Sequence, residues 1–540
     1  MSNSASRTAP PALAAKRRGI GRREALRWGI GAGAGLVVGL PVLSGCSIGS
    51  QQSSGGGQGS PPATPTGVLR VGHPADPSSL DPSVAFDGAT LSVLSNHVYE
   101  GLLRFKQGTS DVEGLLAESY ESSPDAREWT FRLREGVKFH DGEVLNSTAV
   151  RKTFEYYSRE DAGLSLLIPA DAVFDDSDPA VFRVKSPKPA PDMARNATLV
   201  GIISPKLVAQ GVDVVKATAV GTGPFRFVSY TAAKSIVLTA NPDYRGPGPY
   251  VQEVQFLIIP DASARASALR SGSIDLVAKV APADAVALRS DRNLVVQEAP
   301  TWSQSEVIFF LKSPVSDNLK VRQAVAHAID KAALIKSIQN GVGTPAESVL
   351  PPGVYGYHAP ATKYSYDLGK AQQIIAECGL SSPVQAEIIW APELGASLDK
   401  MAFAISGMVK KIGVELKVTQ KPIGEIAKQI MDTTLQKPYQ SVMGDMGWLN
   451  GAPLFLTTGY FETVSGFEEL KPLKEKMVST PDGPERLQVI ADMQELFARQ
   501  LPMIPLYTVT EIDVHRSAVQ GYSVPRDGFL PRLGEVYLSA

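Results

Sequence analysis

Residues 114–155 read GLLAESYESSPDAREWTFRLREGVKFHDGEVLNSTAVRKTFE. The spacing predicts a strand from Leu115 to Ser122, a turn at Ser123-Pro124-Asp125, and a second strand from Glu128 to Leu133. In the second strand Trp129, Phe131 and Leu133 alternate with polar residues, so one face is buried and one is wet. Phe139-His140-Asp141-Gly142 closes a strand in a tight turn, with Gly142 free to take positive φ, and a helix opens after Asn146-Ser147. His140 is expected to be a turn histidine satisfied by backbone groups rather than a catalytic one.

Outward from this stretch the pattern mixes β and α. Upstream, VLRVGHP from Val68 reads as a strand, DPSSLDPS as a loop, and Thr90 to Leu103 as a helix with Leu91, Leu94, Val98 and Leu102 on one side. Downstream, helices are expected near 318–340, 367–378, 397–412 and 483–500, and strands near 224–240, 251–259, 306–312, 385–391 and 414–419. Pro179, Pro187, Pro189 and Pro191 suggest a turn or a sheet edge. Gly221-Thr222-Gly223-Pro224-Phe225 reads as a tight turn entering a strand, because Pro224 removes a donor that a phosphate loop would need. The chain is α/β without an internal repeat.

The N-terminus carries Arg22-Arg23, an uncharged Gly/Ala/Leu/Val stretch from Gly29 to Leu40, and Leu43-Ser44-Gly45-Cys46. Twelve residues are too few to span a bilayer, which needs roughly 20. The segment resembles a twin-arginine lipoprotein signal over residues 1–45, with Arg22 and Arg23 read by the export receptor and Cys46 receiving diacylglycerol. The Gly/Ser/Pro-rich residues 46–67 are then a flexible tether. Removing residues 1–45 takes away seven Lys/Arg and one acid, moving the formal charge from −2 to −8 and arguing against nucleic acid as a partner. Only Cys378 then remains besides Cys46, so no internal disulfide is expected; beside Ile374, Ile375 and Leu380 it reads as a small buried hydrophobe.

Enzyme chemistry is not indicated. No G-x-S-x-G elbow is present, and Ser406 in AISGM lacks the first glycine. The six histidines lie far apart, with no pair at ligand spacing, so neither a metal nor any other cofactor is implied. Asp175 and Asp176 sit in a polar DDSDP turn and read as solvated charge.

The 114–155 stretch resembles the signature region of the family 5 extracellular solute-binding proteins, the peptide- and nickel-type receptors of ABC importers. Further similar segments follow in family order: VGTGPFRFVSYTAAKSIVLTANPDYRG (220–246), LRSGSIDLV (269–277), NLKVRQAVAHAIDKAALI (318–335) and PLYTVTEIDVHRSAVQGY (505–522). The resemblance implies a two-lobed periplasmic-binding-protein-like fold of the cluster C type, with an extra β-rich subdomain. Lobe I would comprise 68–95, 201–300 and 505–540, the extra subdomain 96–200, and lobe II 301–504. Strands would cross between the lobes at Glu298 to Phe310 and Pro502 to Thr510.

It also implies a ligand cleft taking residues from the first crossing, Trp302, Ser303 and Gln304, and from MGDMGWLNGAPLFLTTGYF (443–461), including Trp448, Asn450 and Tyr460. The family's W-x-x-D-Y motif, whose aspartate pairs with a peptide's α-amino group, is altered here: Leu449, Asn450 and Gly451 follow Trp448. An asparagine supplies no charge, and a charge-assisted hydrogen bond is roughly twice as strong as a neutral one; Asp445 is the candidate substitute. The leading expectation is a monomeric, lipid-anchored receptor on the extracytoplasmic face that passes an oligopeptide-like solute to a permease and ATPase complex. Alternatives are a nonpeptide organic solute or metal chelate, a non-transport scaffold or sensor, and an exported hydrolase.

Overall fold

The computed structural model describes residues 60–83, 88–313, 315–391, 397–422, 425–426, 441–447, 467–527 and 531–539. Arg22, Arg23, Cys46, Trp448, Asn450 and Tyr460 lie outside them.

An eleven-stranded mixed sheet runs through both halves of the molecule. From one edge its order is Val414–Gln420, Val384–Trp390, Ser441–Gly447, Leu294–Phe309, Met503–Arg516, Leu276–Val277, Val68–His73, Glu253–Ile258, Ser235–Ala240 and Phe225–Thr231, with Thr344–Pro345 also pairing Met503–Arg516. Two strands are much longer than the rest, Leu294–Phe309 with 16 residues and Met503–Arg516 with 14. They pair antiparallel and are here called the first and second crossing strands.

On either side of the crossing strands lie separate apolar cores. One gathers Ile308, Ala324, Ile388, Met401, Ile405, Met443, Ile490 and Phe497. The other gathers Leu69, Val71, Phe131, Phe154, Phe182, Ile202, Phe225 and Phe256. Two bodies with their own cores, joined by the crossing strands, make a two-lobed α/β fold, and a smaller third core of Leu269, Leu288, Ile512 and Val514 lies along those strands.

The 114–155 stretch folds as read, except that the strand expected to lead into Phe139-His140-Asp141-Gly142 is only an isolated bridge between Lys138 and Val144. Ala117–Ser122 and Glu128–Leu133 are neighbours in a four-stranded antiparallel sheet. Trp129, Phe131 and Leu133 are buried, while Gly142 takes φ 87°. The Asn146 side chain accepts the Ala149 N–H at 2.9 Å and caps the helix Ser147–Tyr157, whose Phe154 packs on Phe182 at 4.8 Å between ring centroids. This sheet shares one continuous core with Leu69 and Phe256 of the large sheet, so it is built onto that lobe.

Four local expectations need correction. The helix expected from Thr90 to Leu103 is Gly88–Leu94 only; Asn96 takes φ 62° and Leu103–Phe105 is a strand. The helix expected near 318–340 is two, Leu319–Ala328 and Lys331–Ile338, because the Asp330 carboxylate caps the second by accepting the Ala333 N–H at 2.9 Å. The Pro-rich region contains an interior strand, Val181–Lys185, paired on both sides; Pro179 and Pro187 merely flank it. Cys378 is half-exposed at the end of the helix Leu368–Glu377, with its Sγ against the Ile374 carbonyl.

His140 is the turn histidine expected. Its Nε2 donates to the Gly223 carbonyl at 3.0 Å and its Nδ1 accepts the Gly221 N–H at 3.4 Å, while burial pushes its pKa down to about 4. Gly221 and Gly223 have no room for side chains. A Cβ on either would meet backbone carbonyls of Val98 or His97 at 2.1–2.2 Å, so these glycines serve close packing rather than a phosphate.

Candidate functional site at the crossing strands

The residues Thr301-Trp302-Ser303-Gln304-Ser305-Glu306 form an unbroken run of buried side chains on the first crossing strand. Such a run breaks the polar–apolar alternation of an ordinary strand. Its cause is the position: the strand is central, with Ser441–Gly447 on one side and the second crossing strand on the other. Between Pro300, opposite Thr510, and Gln304, opposite Thr508, the first strand carries two more residues than its partner. This bulge is fastened by the Thr301 hydroxyl on the Val509 carbonyl, and bulges re-aim side chains beside functional sites.

Trp302 is 2% exposed and meets Phe105 edge to face, with centroids 5.1 Å apart and planes at 82°. Phe105 packs in the same core as Trp302, but its hairpin, Leu103–Phe105 with Val112–Gly114, places Leu103 in the other core. The ring therefore bridges the two lobes. Gln304 donates through Nε2 to the carbonyls of Ser348, at 3.1 Å, and Val349, at 2.6 Å.

What distinguishes this seam is its unspent polarity. Trp302 Nε1, Ser303 Oγ, Gln304 Oε1 and Ser305 Oγ are buried without hydrogen-bond partners among the described residues. A buried unsatisfied polar group costs about 1–3 kcal/mol, so four on consecutive residues are a heavy local burden unless something else satisfies them. Trp302, Ser303 and Gln304, expected at the ligand cleft, all lie on this seam. Asp445 lies opposite Ser305 in the neighbouring strand's register.

The second crossing strand adds acids that the sequence reading missed. Glu511 and Asp513 are buried two residues apart. Asp513 accepts the Tyr522 hydroxyl at 2.5 Å and the Lys279 backbone N–H at 2.9 Å. Burial drives the Glu511 carboxyl well above its usual range, against the pull of Lys279, and pushes Asp513 up to about 6. Glu511 Oε1 has no hydrogen-bond partner among the described residues. The sequence signal available was the alternation of the ionisable Glu511, Asp513 and His515 with Ile512 and Val514.

A second bridge between the lobes is ionic. Arg486, fully buried, donates to Asp192 at 2.6 Å, to Asp482 at 2.6 Å and to the Met477 carbonyl at 3.2 Å. Arg195 donates to Asp482 at 2.9 Å, and its guanidinium lies 3.6 Å from the Tyr355 ring centroid. Asp192 and Arg195 neighbour Met193 of one core, while Arg486 neighbours Val489 of the other. Burial works against the Asp482 carboxylate, but the two guanidinium groups hold it below the usual range.

Among the described residues no group of three or more His, Cys, Asp and Glu is placed to hold a metal ion, and no helix is long and apolar enough to cross a membrane.

Two lobes joined by crossing strands, meeting at a buried seam of polar groups without hydrogen-bond partners among the described residues, are the architecture of the two-lobed solute-binding proteins. The model of the bacterial extracellular solute-binding proteins, family 5 (middle), matches residues 111–466, and the chain belongs to that family. The chain is 27% identical over 492 residues to the dipeptide-binding protein of Escherichia coli strain K12, covering 83% of this chain and 90% of that protein. It is also 27% identical over 465 residues to heme-binding protein A of Haemophilus influenzae, covering 80% and 85%. Among solved structures it resembles an ABC transporter-associated periplasmic binding protein from Helicobacter pylori in complex with the peptide STSA, with a TM-score of 0.73, 26% identity, and coverage of 88% of this chain and 99% of that one.

Proposed function

We propose that this protein is the substrate-binding component of an ABC importer, and that it captures a peptide-like solute between its lobes and hands it to a membrane permease with its ATPase. The observation that carries the reading is the set of buried polar atoms on Trp302, Ser303, Gln304 and Ser305 that have no hydrogen-bond partner among the described residues. In this reading the solute supplies their missing partners, with Trp302 as the apolar wall. The division into lobe I (68–95, 201–300 and 505–540), its subdomain (96–200) and lobe II (301–504) belongs to the same reading, supported by the separate cores. Asp445, Trp448, Asn450 and Tyr460 are proposed to complete the cleft from lobe II, and the role is binding rather than catalysis.

A panel of two- to five-residue peptides should contain members that raise the melting temperature of the purified protein. Because the aspartate position of the W-x-x-D-Y motif is occupied by Gly451, with Asn450 beside it, acetylating the α-amine of a bound peptide should weaken it less than tenfold. A loss above tenfold would instead place a carboxylate on the amine, with Asp445 the candidate. A second reading, a nonpeptide solute or a metal chelate, is favoured by the neutral Leu449-Asn450-Gly451; it predicts that small organic acids and chelates shift the melting temperature where peptides do not.

We further propose export by the Arg22-Arg23 signal and anchoring by lipid on Cys46, as a monomer on the extracytoplasmic face. A single acyl chain gives only marginal membrane binding, whereas diacylglycerol supplies two. Cys46→Ser should release the protein from washed membranes into the soluble fraction, and retention of the variant on membranes would contradict the anchor.

A further inference from the structure

The segment 318–335 forms the helix Leu319–Ala328, with Ala324 in the core, and the start of the helix Lys331–Ile338. Between the helix Lys331–Ile338, the loop 345–349, the segment 362–366, the helix Pro484–Gln500 and the start of the second crossing strand lies a cavity of about 410 Å³. Small-molecule sites span roughly 300–1,000 Å³. None of Thr301 to Glu306 lines it, so it is separate from the seam between the lobes.

Its walls are mainly apolar, including Ile329, Val349, Phe497, Leu501 and Met503. Lys331 enters from one side, and its ammonium donates to the Ala346 carbonyl at 2.6 Å. No carboxylate lies within ion-pair distance of it among the described residues. The two acids that also line the cavity are engaged elsewhere: Asp330 caps the helix through the Ala333 N–H, and Glu347 pairs with Lys363. An ammonium carries three donors, so two remain. Burial pushes the Lys331 pKa down to about 8, opposed by the more distant charge of Glu347. At neutral pH the group is still mainly protonated, and a cation in an apolar wall is stabilised by an anion brought to it.

We propose that this cavity is a second ligand site, taking a small organic monocarboxylate whose carboxylate sits on Lys331 and whose apolar body fills the pocket against Phe497 and Met503. The site has a direct line to the crossing. Ser348 and Val349, two of its wall residues, are those whose carbonyls accept the Gln304 amide, and the Ser348 hydroxyl donates to Gln494, another wall residue, at 2.8 Å.

Isothermal titration of the purified protein with phenylacetate tests the site. One saturable site is expected, with 2-phenylethanol at least tenfold weaker because it has the same ring without the charge. Lys331→Met should weaken phenylacetate at least tenfold, Ala498→Phe should abolish binding by filling the pocket, and Trp302→Phe should leave it unchanged. Circular dichroism and the melting temperature confirm that each variant is folded, and Ala498→Phe keeps the site testable if Lys331→Met is not. No heat from phenylacetate would overturn the proposal. So would equal binding by Lys331→Met or Ala498→Phe, or loss in Trp302→Phe, which would place the ligand in the cleft. This inference does not depend on the solute of the cleft: the proposed function fails if no solute binds at Trp302, whatever phenylacetate does.

Discussion

Arg486→Met will cost the protein about 3 kcal/mol of stability, read as a lower midpoint of urea unfolding, and will make it more open in solution. The side chain is fully buried and holds two carboxylates from opposite sides of the interface, Asp192 and Asp482. Removing one partner of a buried ion pair typically costs about 3–5 kcal/mol, because a charge is left without compensation. The lower end is expected here because Asp482 is 39% exposed and water screens it. Arg195 keeps one contact with Asp482 but leaves Asp192 without its short hydrogen bond. The loss falls on the contact where the two sides meet, so the radius of gyration should rise as well. A change below about 0.5 kcal/mol with no change in size would place Arg486 among ordinary surface ion pairs.

Trp302 separates packing from recognition. Trp302→Ala will cost about 3–5 kcal/mol, as buried Trp or Phe truncations do, since the ring is 2% exposed and edge to face with Phe105. Trp302→Phe keeps an aromatic body and should cost less than about 1.5 kcal/mol. It removes the indole N–H, which has no hydrogen-bond partner among the described residues. If that donor meets the solute, Trp302→Phe will lower affinity about tenfold at little cost in melting temperature. Unchanged affinity would make Trp302 a packing residue only.

The two strands and capped helix of residues 114–155 were legible because their signals are local: alternation at Trp129, Phe131 and Leu133, turn chemistry at Ser123-Pro124-Asp125, and Asn146 at the cap. The errors came where a local pattern met a longer-range constraint. Val98 and Leu102 keep helical spacing with Leu94, yet the left-handed backbone at Asn96 ends the helix and both are buried without it. Val181–Lys185 was hidden by flanking prolines, which spare a central strand so long as they stand outside it.

The seam was half legible. Trp302, Ser303 and Gln304 were found through the family resemblance, and Ser305 continues the same buried polar run. Glu511 and Asp513 were not found, because their significance lies in burial from the C-terminal segment around Tyr522. The Arg486 network was invisible in sequence. Asp192 and Arg486 are 294 residues apart, and nothing near either names the other.

The measurement that bears most directly on the whole account is small-angle X-ray scattering of the mature protein, with and without a peptide that raises its melting temperature. Closure of two lobes about the crossing strands predicts a smaller radius of gyration with peptide, and a smaller response in Trp302→Phe at the same peptide concentration. A peptide that stabilises the protein without changing its dimensions, and does so equally in Trp302→Phe, would contradict capture between the lobes.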